Sequence, residues 1–311
     1  MTLSVVVISF NQRLLIERLI GQLLDQSFAP DDYEVIVVEC NSQDQTADWL
    51  LAQSDARLRP VILSHDCNRS AARNRGILES RGRIVVMIDG DHTISPDFLV
   101  RHSDAHAPGV RAIVGKSIFA PDPEYRAIST YLDGSGAAKL PIGTMLPGRY
   151  FLTRNCSVPR DVLIDIGLFD EQFDQWGGED LDLGVRLERA GVPIIGAPQA
   201  LAVHHHFRTL QEVMRVIEAY GAGSIPRLLG KHPQLFRELN LDWLYHNPFQ
   251  PDQFSRPTRL LHRLLCSALI YTTMLSIAQS LRRFRLPRVL LDYLHLRQYA
   301  KGYCRAAGPK L

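Results

Sequence analysis

The chain has 311 residues, of which 46% are hydrophobic and 22% are charged. This composition is typical of a folded protein with one sizeable α/β domain and an appendage, and it excludes an intrinsically disordered chain. The net charge is +2, but residues 256–311 contain eleven of the 35 Lys and Arg and only one of the 33 acidic residues. The sequence therefore predicts an acidic body and a basic end, which is either solvated or in contact with an anionic surface such as phospholipid or nucleic acid.

Five cysteines are scattered along the chain without a CxxC pair, at positions 40, 67, 156, 266 and 304. Their odd number and their spacing predict neither a disulfide nor a zinc framework, and they favour a reducing, cytoplasmic location. The N-terminal apolar run is short and has no basic segment before it. It therefore predicts a first β-strand rather than a signal peptide.

The first ninety residues alternate short β-branched runs with amphipathic segments. The predicted strands are 4–8, 34–38, 61–63 and 84–88, and the predicted helices are 13–26, 46–52 and 71–79. This alternation predicts an α/β fold with a mostly parallel sheet flanked by helices. Ligands of such sheets bind where the strands end, and polar clusters follow three of the predicted strands.

The second half of the chain is less regular. We expect helices at 161–166 and from 179 to about 191, a strand at 200–203, and mainly helices after about 210. This pattern predicts one domain over 1–215 and a basic, helical C-terminal extension over 216–311.

An uncharged run at 264–281 has arginines on both sides. It is open to three interpretations: a buried helix that packs on the domain or on a homodimer partner, an interfacial helix on an anionic membrane, or a membrane span. The span is the least favoured, because the run is short and both of its flanks are basic.

Asp89-Gly90-Asp91 directly follows the fourth predicted strand. Two carboxylates separated by one small residue can bind a divalent cation, and that cation can bridge a diphosphate. The glycine would let the backbone come close to a ligand. The alternative is an ordinary turn at the end of the strand, because Asp and Gly are common turn residues.

A Trp-Gly-Gly segment at 176–178 precedes the carboxylates Glu179, Asp180 and Asp182, at the predicted start of a helix. The helix dipole stabilises negative charge there, so we expect a carboxylate that is ionised at neutral pH and can accept a proton from a hydroxyl. Helix capping would explain one acidic residue, but it does not explain the aromatic ring and the glycine pair.

Three consecutive histidines, His204 to His206, follow the strand predicted at 200–203. Neutral imidazole is a good ligand for Mn²⁺-like ions. Alternate side chains of a strand face opposite sides, so not all three histidines can face one site. Arg73 lies on the third predicted helix, where a solvated basic face is the simplest interpretation.

In this order, the segments resemble the family 2 glycosyltransferases, which have the GT-A fold. The matching stretches, within about residues 3–210, are VVVISFNQ, VIVVECNSQDQT, NRSAARNRG, IVVMIDGD, NCSVPRDVLIDIGLFDEQF, WGGEDLDLGVRLERAG and VHHHFR. The stretch from FDEQF to WGGEDLDL is also similar to a segment shared by β-1,4-galactosyltransferases, polypeptide N-acetylgalactosaminyltransferases and bacterial chondroitin-type polymerases.

The resemblance implies roles for individual residues. The residues implied to bind the nucleotide-sugar are Ser9, Asn11, Glu39, Asn41, Asn68, Arg73, Asp89 and Gly90. Those implied to shape the acceptor and sugar pocket are Asn155, Trp176, Gly177 and Gly178. The catalytic base would be Asp180 with Glu179 beside it, and Mn²⁺ or Mg²⁺ would be held by Asp91 with His204 or His205.

Two of these assignments carry further detail. Arg73 matches the family's arginine that reaches the nucleobase. Glu39 stands where the family usually has an Asp that faces uracil. The extra methylene weakens the expectation of a UDP-sugar, which nevertheless stays the first choice of donor.

The resemblance therefore implies a metal-dependent, inverting transfer of a sugar from a nucleotide-diphosphate sugar to a hydroxyl of a glycan, a lipid-linked sugar or a small molecule. A peripheral position on the inner face of the cell membrane would suit a lipid-linked acceptor.

Two rival functions remain open. One is a non-catalytic carbohydrate-binding or partner protein on a degenerate GT-A fold, which only the altered turn at 39–41 supports. The other is a nucleotidyltransferase, which would need a basic phosphate-binding loop near the N-terminus, where Arg13 stands alone. A dehydrogenase is disfavoured because no G-x-G-x-x-G follows the first strand. Nucleic acid is not an expected partner, since no binding module is recognisable.

Overall fold

The computed structural model describes residues 1–106, 109, 111–135, 144–241, 244, 249 and 255–307. In chain order, its strands and α-helices are β1 (Leu3–Ser9), α1 (Arg13–Leu24), β2 (Tyr33–Cys40), α2 (Thr46–Leu51), β3 (Leu58–Leu63), α3 (Arg69–Glu79), β4 (Ile84–Asp89), β5 (His92–Ile94), α4 (Phe98–Ala105), β6 (Ala112–Phe119), α5 (Arg126–Asp133), β7 (Asn155–Pro159), α6 (Arg160–Asp165), α7 (Glu179–Arg189), β8 (Ile194–His204), α8 (Leu210–Ala222), α9 (Ser224–Lys231), α10 (Leu235–Glu238), α11 (Arg256–Cys266), α12 (Ala268–Ser280) and α13 (Arg288–Ala307).

The chain forms two compact units. The first comprises Met1–Ala120, Asp133–Asp174 and Glu179–His206. The second comprises Pro121–Leu132, Gln175–Gly178 and Phe207–Leu311. The domain boundary expected after residue 215 stays a prediction, and the second compact unit contains two short segments from earlier in the chain.

An eight-stranded sheet in the order β3-β2-β1-β4-β7-β6-β8-β5 forms the centre of the first unit. Its N-terminal part is parallel, because β1 pairs with β2 and β4, and β2 pairs with β3. β7 runs antiparallel to β4 and β6, and β5 runs antiparallel to β8. The predicted α/β class is confirmed, with a sheet that is mixed among the described strands.

Helices cover both faces of this sheet because successive residues of its parallel strands are apolar and point to opposite faces. Leu3, Val5 and Val7 of β1 pack in one core with residues of α1 and α4. Val6 of the same strand packs in a second core with residues of α3, α6 and α7. Burial from both sides explains why the parallel strands appear in the sequence as continuous apolar runs.

The second unit is helical in its described part, as the sequence predicts for the C-terminal region. Glu218 of α8 accepts hydrogen bonds from three residues of α13: Gln298 and Lys301 at 3.0 Å, and Arg305 at 3.4 Å. The hydroxyl of Tyr131 in α5 donates to an Asp292 carboxylate oxygen of α13 at 2.9 Å. Residues distant in sequence are thus held in one unit by polar contacts along α13.

The uncharged run at 264–281 is not a single helix, because α11 ends at Cys266 and α12 begins at Ala268. Within the ranges given above, no single helix is long and apolar enough to cross a membrane. Thr258–Cys266 and Ala268–Ser280 meet that test only as a pair, and they are bent by 53° relative to each other.

A disulfide joins Cys40 to Cys67, with the Cα atoms 5.7 Å apart. Cys40 ends β2, and Cys67 immediately precedes the residue that caps α3. The expectation that no cysteines pair, drawn from their number and spacing, is therefore wrong. The pairing depends on where the chain returns after β3, which cysteine spacing does not encode.

We expect Phe98→Ala to destabilise the protein by about 3–5 kcal/mol, because removing a large buried ring leaves a cavity. Phe98 is fully buried in the core beside α1. Leu78→Ala is the matched control, since Leu78 of α3 is exposed. Thermal unfolding followed by circular dichroism checks the prediction, and equal midpoints for the two variants would contradict it.

Candidate active site

Asn11 holds the loops that follow β1 and β2 together. Its backbone N–H donates to Ser42 Oγ at 2.8 Å, and its side-chain Oδ1 accepts from the Gln43 N–H at 2.8 Å. Asn11 and Asn41 both lie in the left-handed region, with φ of 51° and 60°. Asn tolerates this conformation better than most residues. The two strand ends predicted to bind a nucleotide therefore form one continuous polar surface.

Glu39 is fully buried at the end of β2 and is the register partner of Ser9 in β1. Its Oε1 accepts from the Ser42 N–H at 2.6 Å. Its Oε2 and the Ser9 hydroxyl oxygen have no hydrogen-bond partner among the residues that the structure describes. Buried polar atoms are normally paired, so these two oxygens at adjacent strand ends are suited to contact a polar ligand.

Asn68, which is predicted to bind the nucleotide-sugar, also has a structural role. Its Oδ1 accepts from the Ala71 N–H at 2.9 Å and caps α3, while its Nδ2 donates to the Glu171 carbonyl at 2.7 Å. Asn41 Nδ2 donates to Asp66 Oδ1 at 3.0 Å. Both asparagines therefore order the loops beside the orphaned oxygens, and their contact with a nucleotide stays a prediction.

Arg73 is buried among carboxylates instead of lying on a solvated helix face. Its Nη2 lies 3.0 Å from Asp89 Oδ1, and its Nη1 lies 3.1 Å from Glu179 Oε1 and 3.8 Å from Asp180 Oδ1. Burial opposes the charged guanidinium, but the neighbouring carboxylates raise the pKa of Arg73. The predicted contact with a nucleobase is not supported by these partners, because both terminal nitrogens are engaged by acids.

Asp180 lies in the first turn of α7, where Thr153 Oγ1 donates to its Oδ1 at 2.5 Å. Burial, together with the neighbouring Glu179 charge, raises the pKa of Asp180 to about 7, against the opposing effects of Arg73 and Thr153. Burial and Glu179 thus act against the predicted stabilisation of the ionised carboxylate, which stays a prediction. A pKa near neutrality suits a general base, which must accept a proton and release it again.

Asp91 contacts two imidazoles. Its Oδ2 lies 3.0 Å from His204 Nε2, and its Oδ1 lies 2.9 Å from His92 Nδ1. Burial opposes ionisation, but hydrogen bonds from His204 and His92 lower the pKa of Asp91 well below its ordinary value. The register of β5 against β8 places His92 opposite His204. His205 Nε2 instead lies 2.8 Å from Thr93 Oγ1.

These contacts distinguish between the two predicted histidine ligands. No group of three or more His, Cys, Asp and Glu placed to hold a metal occurs in the described ranges. Asp91 and His204 nevertheless offer adjacent oxygen and nitrogen donors, a set that suits Mn²⁺. His204 Nδ1 and His92 Nε2 are also buried without a described partner. The residues present therefore fit a divalent cation, with His204 beside Asp91.

Gly90 is closely packed against α1. A Cβ atom at this position would lie 2.3 Å from Ile16 Cδ1 of α1, which is closer than any real contact. The glycine thus lets the Asp89–Asp91 turn lie directly against α1. The predicted close approach to a ligand has no support in this contact.

Asn155 lies inside the sheet and is 1% exposed. Its Nδ2 donates to the carbonyls of Lys116 and Ala200 at 3.0 and 2.9 Å, and its Oδ1 lies 2.9 Å from His102 Nε2. These bonds occupy the whole amide, so its predicted place in the acceptor pocket is not supported by this geometry.

Trp176, Gly177 and Gly178 belong to the second unit. The Trp176 ring is 41% exposed and meets Tyr220 edge to face, with ring centroids 5.9 Å apart. Gly177 and Gly178 have φ of 77° and 97°, values that L-residues with a side chain rarely adopt. The segment thus presents a supported aromatic ring, and its contact with a sugar stays a prediction.

Sequence reasoning missed Thr153 and His92 as members of the site. His92 carried a weak signal, since it directly follows Asp91, but its pairing with His204 depends on the short strand β5. Thr153 carried none, because it reaches Asp180 from 27 residues away.

Comparison with known proteins agrees with this geometry. The family model described as Glycosyl transferase family 2 matches residues 4–160, and the one described as Glycosyl transferase family group 2 matches residues 84–296. The chain belongs to glycosyl transferase family 2. The family that the sequence motifs predicted is confirmed.

Two curated relatives and one solved structure illustrate the similarity. Validoxylamine A glucosyltransferase of Streptomyces hygroscopicus subsp. limoneus is 27% identical over 76% of this chain and 58% of its own. Glycosyltransferase YfnE of Bacillus subtilis is 25% identical over 85% of this chain and 79% of its own. A mannosyltransferase from Pyrobaculum calidifontis, solved in complex with GDP-Man and Mn²⁺, has a TM-score of 0.64 and 20% identity, covering 99% of this chain and 88% of its own.

The structural match confirms the GT-A glycosyltransferase fold. The chain spans about 60% of the length of the validoxylamine A glucosyltransferases it matches.

Relative to wild type at the same pH, we expect the thermal midpoint of Asp180→Asn to be about 3 °C higher near pH 8.5 than near pH 5.5. A carboxyl whose folded pKa is raised to about 7 contributes stability in acid that is lost as the pH rises through 7. That loss amounts to roughly 2 kcal/mol over this interval, and the neutral amide avoids it. Differential scanning fluorimetry at both pH values checks the prediction.

The matched control is Asp165→Asn at the exposed end of α6. Its midpoint should differ from wild type equally at the two pH values. If Asp180→Asn behaved in the same way, burial would not govern the ionisation of Asp180.

Proposed function

We propose that the protein transfers a sugar from a nucleotide-diphosphate sugar to an acceptor hydroxyl with inversion at the anomeric carbon. The observation that carries this proposal is the guanidinium of Arg73, which joins Asp89 of the Asp-Gly-Asp turn to Glu179 and Asp180 at the start of α7. One cluster within the first unit therefore contains both the turn suited to bind a metal ion with its diphosphate and the carboxylate suited to proton transfer.

In the proposed reaction, the acceptor oxygen forms a bond to the anomeric carbon as the bond to the nucleotide diphosphate breaks. Asp180 accepts the proton of the acceptor hydroxyl, and the nucleoside diphosphate leaves with the bonding electron pair. A single displacement inverts the configuration. Thr153 and Arg73 hold the Asp180 carboxylate by its Oδ1, so they act as positioning residues.

A divalent cation, Mn²⁺ or Mg²⁺, would be held by Asp91 and His204. When bound, it would offset negative charge on the departing diphosphate. The residues support this assignment by their donor chemistry and by the 3.0 Å distance between Asp91 Oδ2 and His204 Nε2. The P. calidifontis mannosyltransferase was solved with Mn²⁺, which makes this ion the first to test.

The donor is proposed to be a UDP-sugar first and a GDP-sugar second. The orphaned Glu39 Oε2 accepts hydrogen bonds and cannot donate them while it is ionised. It therefore favours a nucleobase with a ring N–H, which both uracil and guanine have. The acceptor is proposed to be a hydroxyl of a glycan, a lipid-linked sugar or a small molecule. The likeness of the WGGED segment to galactosyltransferases and chondroitin-type polymerases remains part of this proposal.

We expect Asp180→Asn to lower turnover by about 10²–10⁴-fold while leaving donor binding nearly intact, because only proton transfer is removed. Release of nucleoside diphosphate from UDP-glucose and GDP-mannose, in the presence of a panel of sugar acceptors, measures turnover. The thermal shift caused by the same nucleotides measures binding, and Asp165→Asn is the control. Turnover of Asp180→Asn within a few-fold of wild type would remove Asp180 as the base. Binding without turnover in the wild type would favour the non-catalytic alternative.

The histidine pair provides an internal test of the cation site. We expect Mn²⁺ to increase the thermal shift produced by UDP or GDP in the wild type and in His205→Ala, but not in His204→Ala. The reason is that His204 contacts Asp91, whereas His205 contacts Thr93. Fluorimetry with Mn²⁺ and with EDTA checks this. If the increase caused by Mn²⁺ disappeared in His205→Ala alone, the assignment of the two histidines would be reversed. If both variants kept the wild-type increase, Mn²⁺ would not be held at this site.

A further inference from the structure

One side of α11 is formed by leucines that are open to water. Leu260, Leu261, Leu264 and Leu265 are 63, 54, 48 and 43% exposed. Their spacing places them on one face of the helix, and Arg259 and Arg263 fall on the opposite side. An exposed apolar face of this size on a helix is unusual unless something covers it.

The apolar surface continues beyond α11. Five further large apolar side chains are exposed between the start of α12 and the start of α13: Leu269, Ile277, Leu281, Phe284 and Val289. Basic residues alternate with them, namely Arg282, Arg283, Arg285 and Arg288. Arg282 and Arg283 form ion pairs with Glu124 at the surface. We name the exposed side chains of residues 259–289 the leucine–arginine surface.

We propose that the leucine–arginine surface binds the interface of an anionic lipid bilayer, with α11 lying in the plane of the membrane. Residues 256–311 contain eleven Lys or Arg and one acidic residue, so this region is complementary to negatively charged headgroups. Amphipathic helices with basic and leucine faces bind in this way, with the apolar face buried about 5–10 Å into the headgroup and acyl boundary.

Other occupants fit this surface less well. A second copy of the chain would bring the same basic region to the contact, and like charges would repel. A membrane span is not favoured, because α11 and α12 are bent by 53° and Tyr271 and Ala278 of α12 are buried within the protein. An anionic bilayer can bury the leucines and also bind the arginines, whose long side chains allow the charge to reach the headgroups.

This inference does not depend on the proposed sugar transfer, since lipid binding needs neither donor nor acceptor. The test is co-flotation of the full chain with vesicles of phosphatidylcholine alone and of phosphatidylcholine mixed with phosphatidylglycerol. We compare wild type with Leu261→Ser/Leu265→Ser and, independently, with Leu260→Ser/Leu264→Ser. The matched control is Leu51→Ser/Leu78→Ser, which removes two exposed leucines from α2 and α3.

We expect wild type and control to float with the anionic vesicles, less so at high salt, which screens the charges. Each of the two double variants in α11 should lower the partition coefficient for anionic vesicles at least tenfold, while its circular dichroism spectrum stays that of the folded wild type. The proposal is overturned if wild type does not float with anionic vesicles or if it binds neutral vesicles equally well. It is also overturned if the double variants in α11 bind anionic vesicles as well as the control does. A dimer on size-exclusion chromatography that both α11 pairs dissolve, without lipid binding, would instead assign the surface to a second copy.

Discussion

The buried guanidinium of Arg73 is the interaction on which the arrangement of the site depends. It is the cation shared by Asp89, Glu179 and Asp180, which come from the end of β4 and the start of α7. Carboxylates brought this close without a cation would repel one another strongly in a poorly solvated environment. A buried pair is often neutral for stability, but breaking one by removing a partner is costly. Arg73 therefore allows three segments of the chain to meet at one place.

The same balance of charges sets the chemistry of Asp180. Three acids share one guanidinium, so Asp180 receives only part of its stabilisation, and its contact with Arg73 is the longest of the three. Burial and Glu179 then outweigh Arg73 and Thr153, which raises the pKa of Asp180 to about 7. An acid with a full ion pair would be a weak base. The crowding of carboxylates thus has a consequence for function as well as for folding.

Much of the N-terminal architecture could be predicted from local pattern. The strands predicted at 4–8, 34–38 and 84–88 form within β1, β2 and β4, and the polar residues that follow them meet at one edge of the sheet. Here each strand is a continuous apolar run and each helix has its own periodicity. The prediction succeeded because the determining information lies within about ten residues.

The rest depends on contacts between distant segments. β7 is five residues long and lies antiparallel between β4 and β6, where its neighbours determine its conformation more than its own residues do. The contact of Asp91 with His204 rather than with His205 follows from the register of β5 against β8, which one residue of slippage would reverse. The disulfide between Cys40 and Cys67 likewise follows from topology.

The charges of the site also bear on the need for a cation. Glu39, Asp89, Asp91, Glu179 and Asp180 all lie in the cluster or at the strand ends beside it. Both terminal nitrogens of Arg73 are already engaged by carboxylates, so this guanidinium has little charge left for a ligand. A nucleotide diphosphate brings further negative charge into this environment, where electrostatic interactions are stronger than in water. The hydrogen bonds that lower the pKa of Asp91 keep it ionised and therefore suited to bind a metal. On this account, a divalent cation at Asp91 and His204 is what would make an acidic site compatible with an anionic donor.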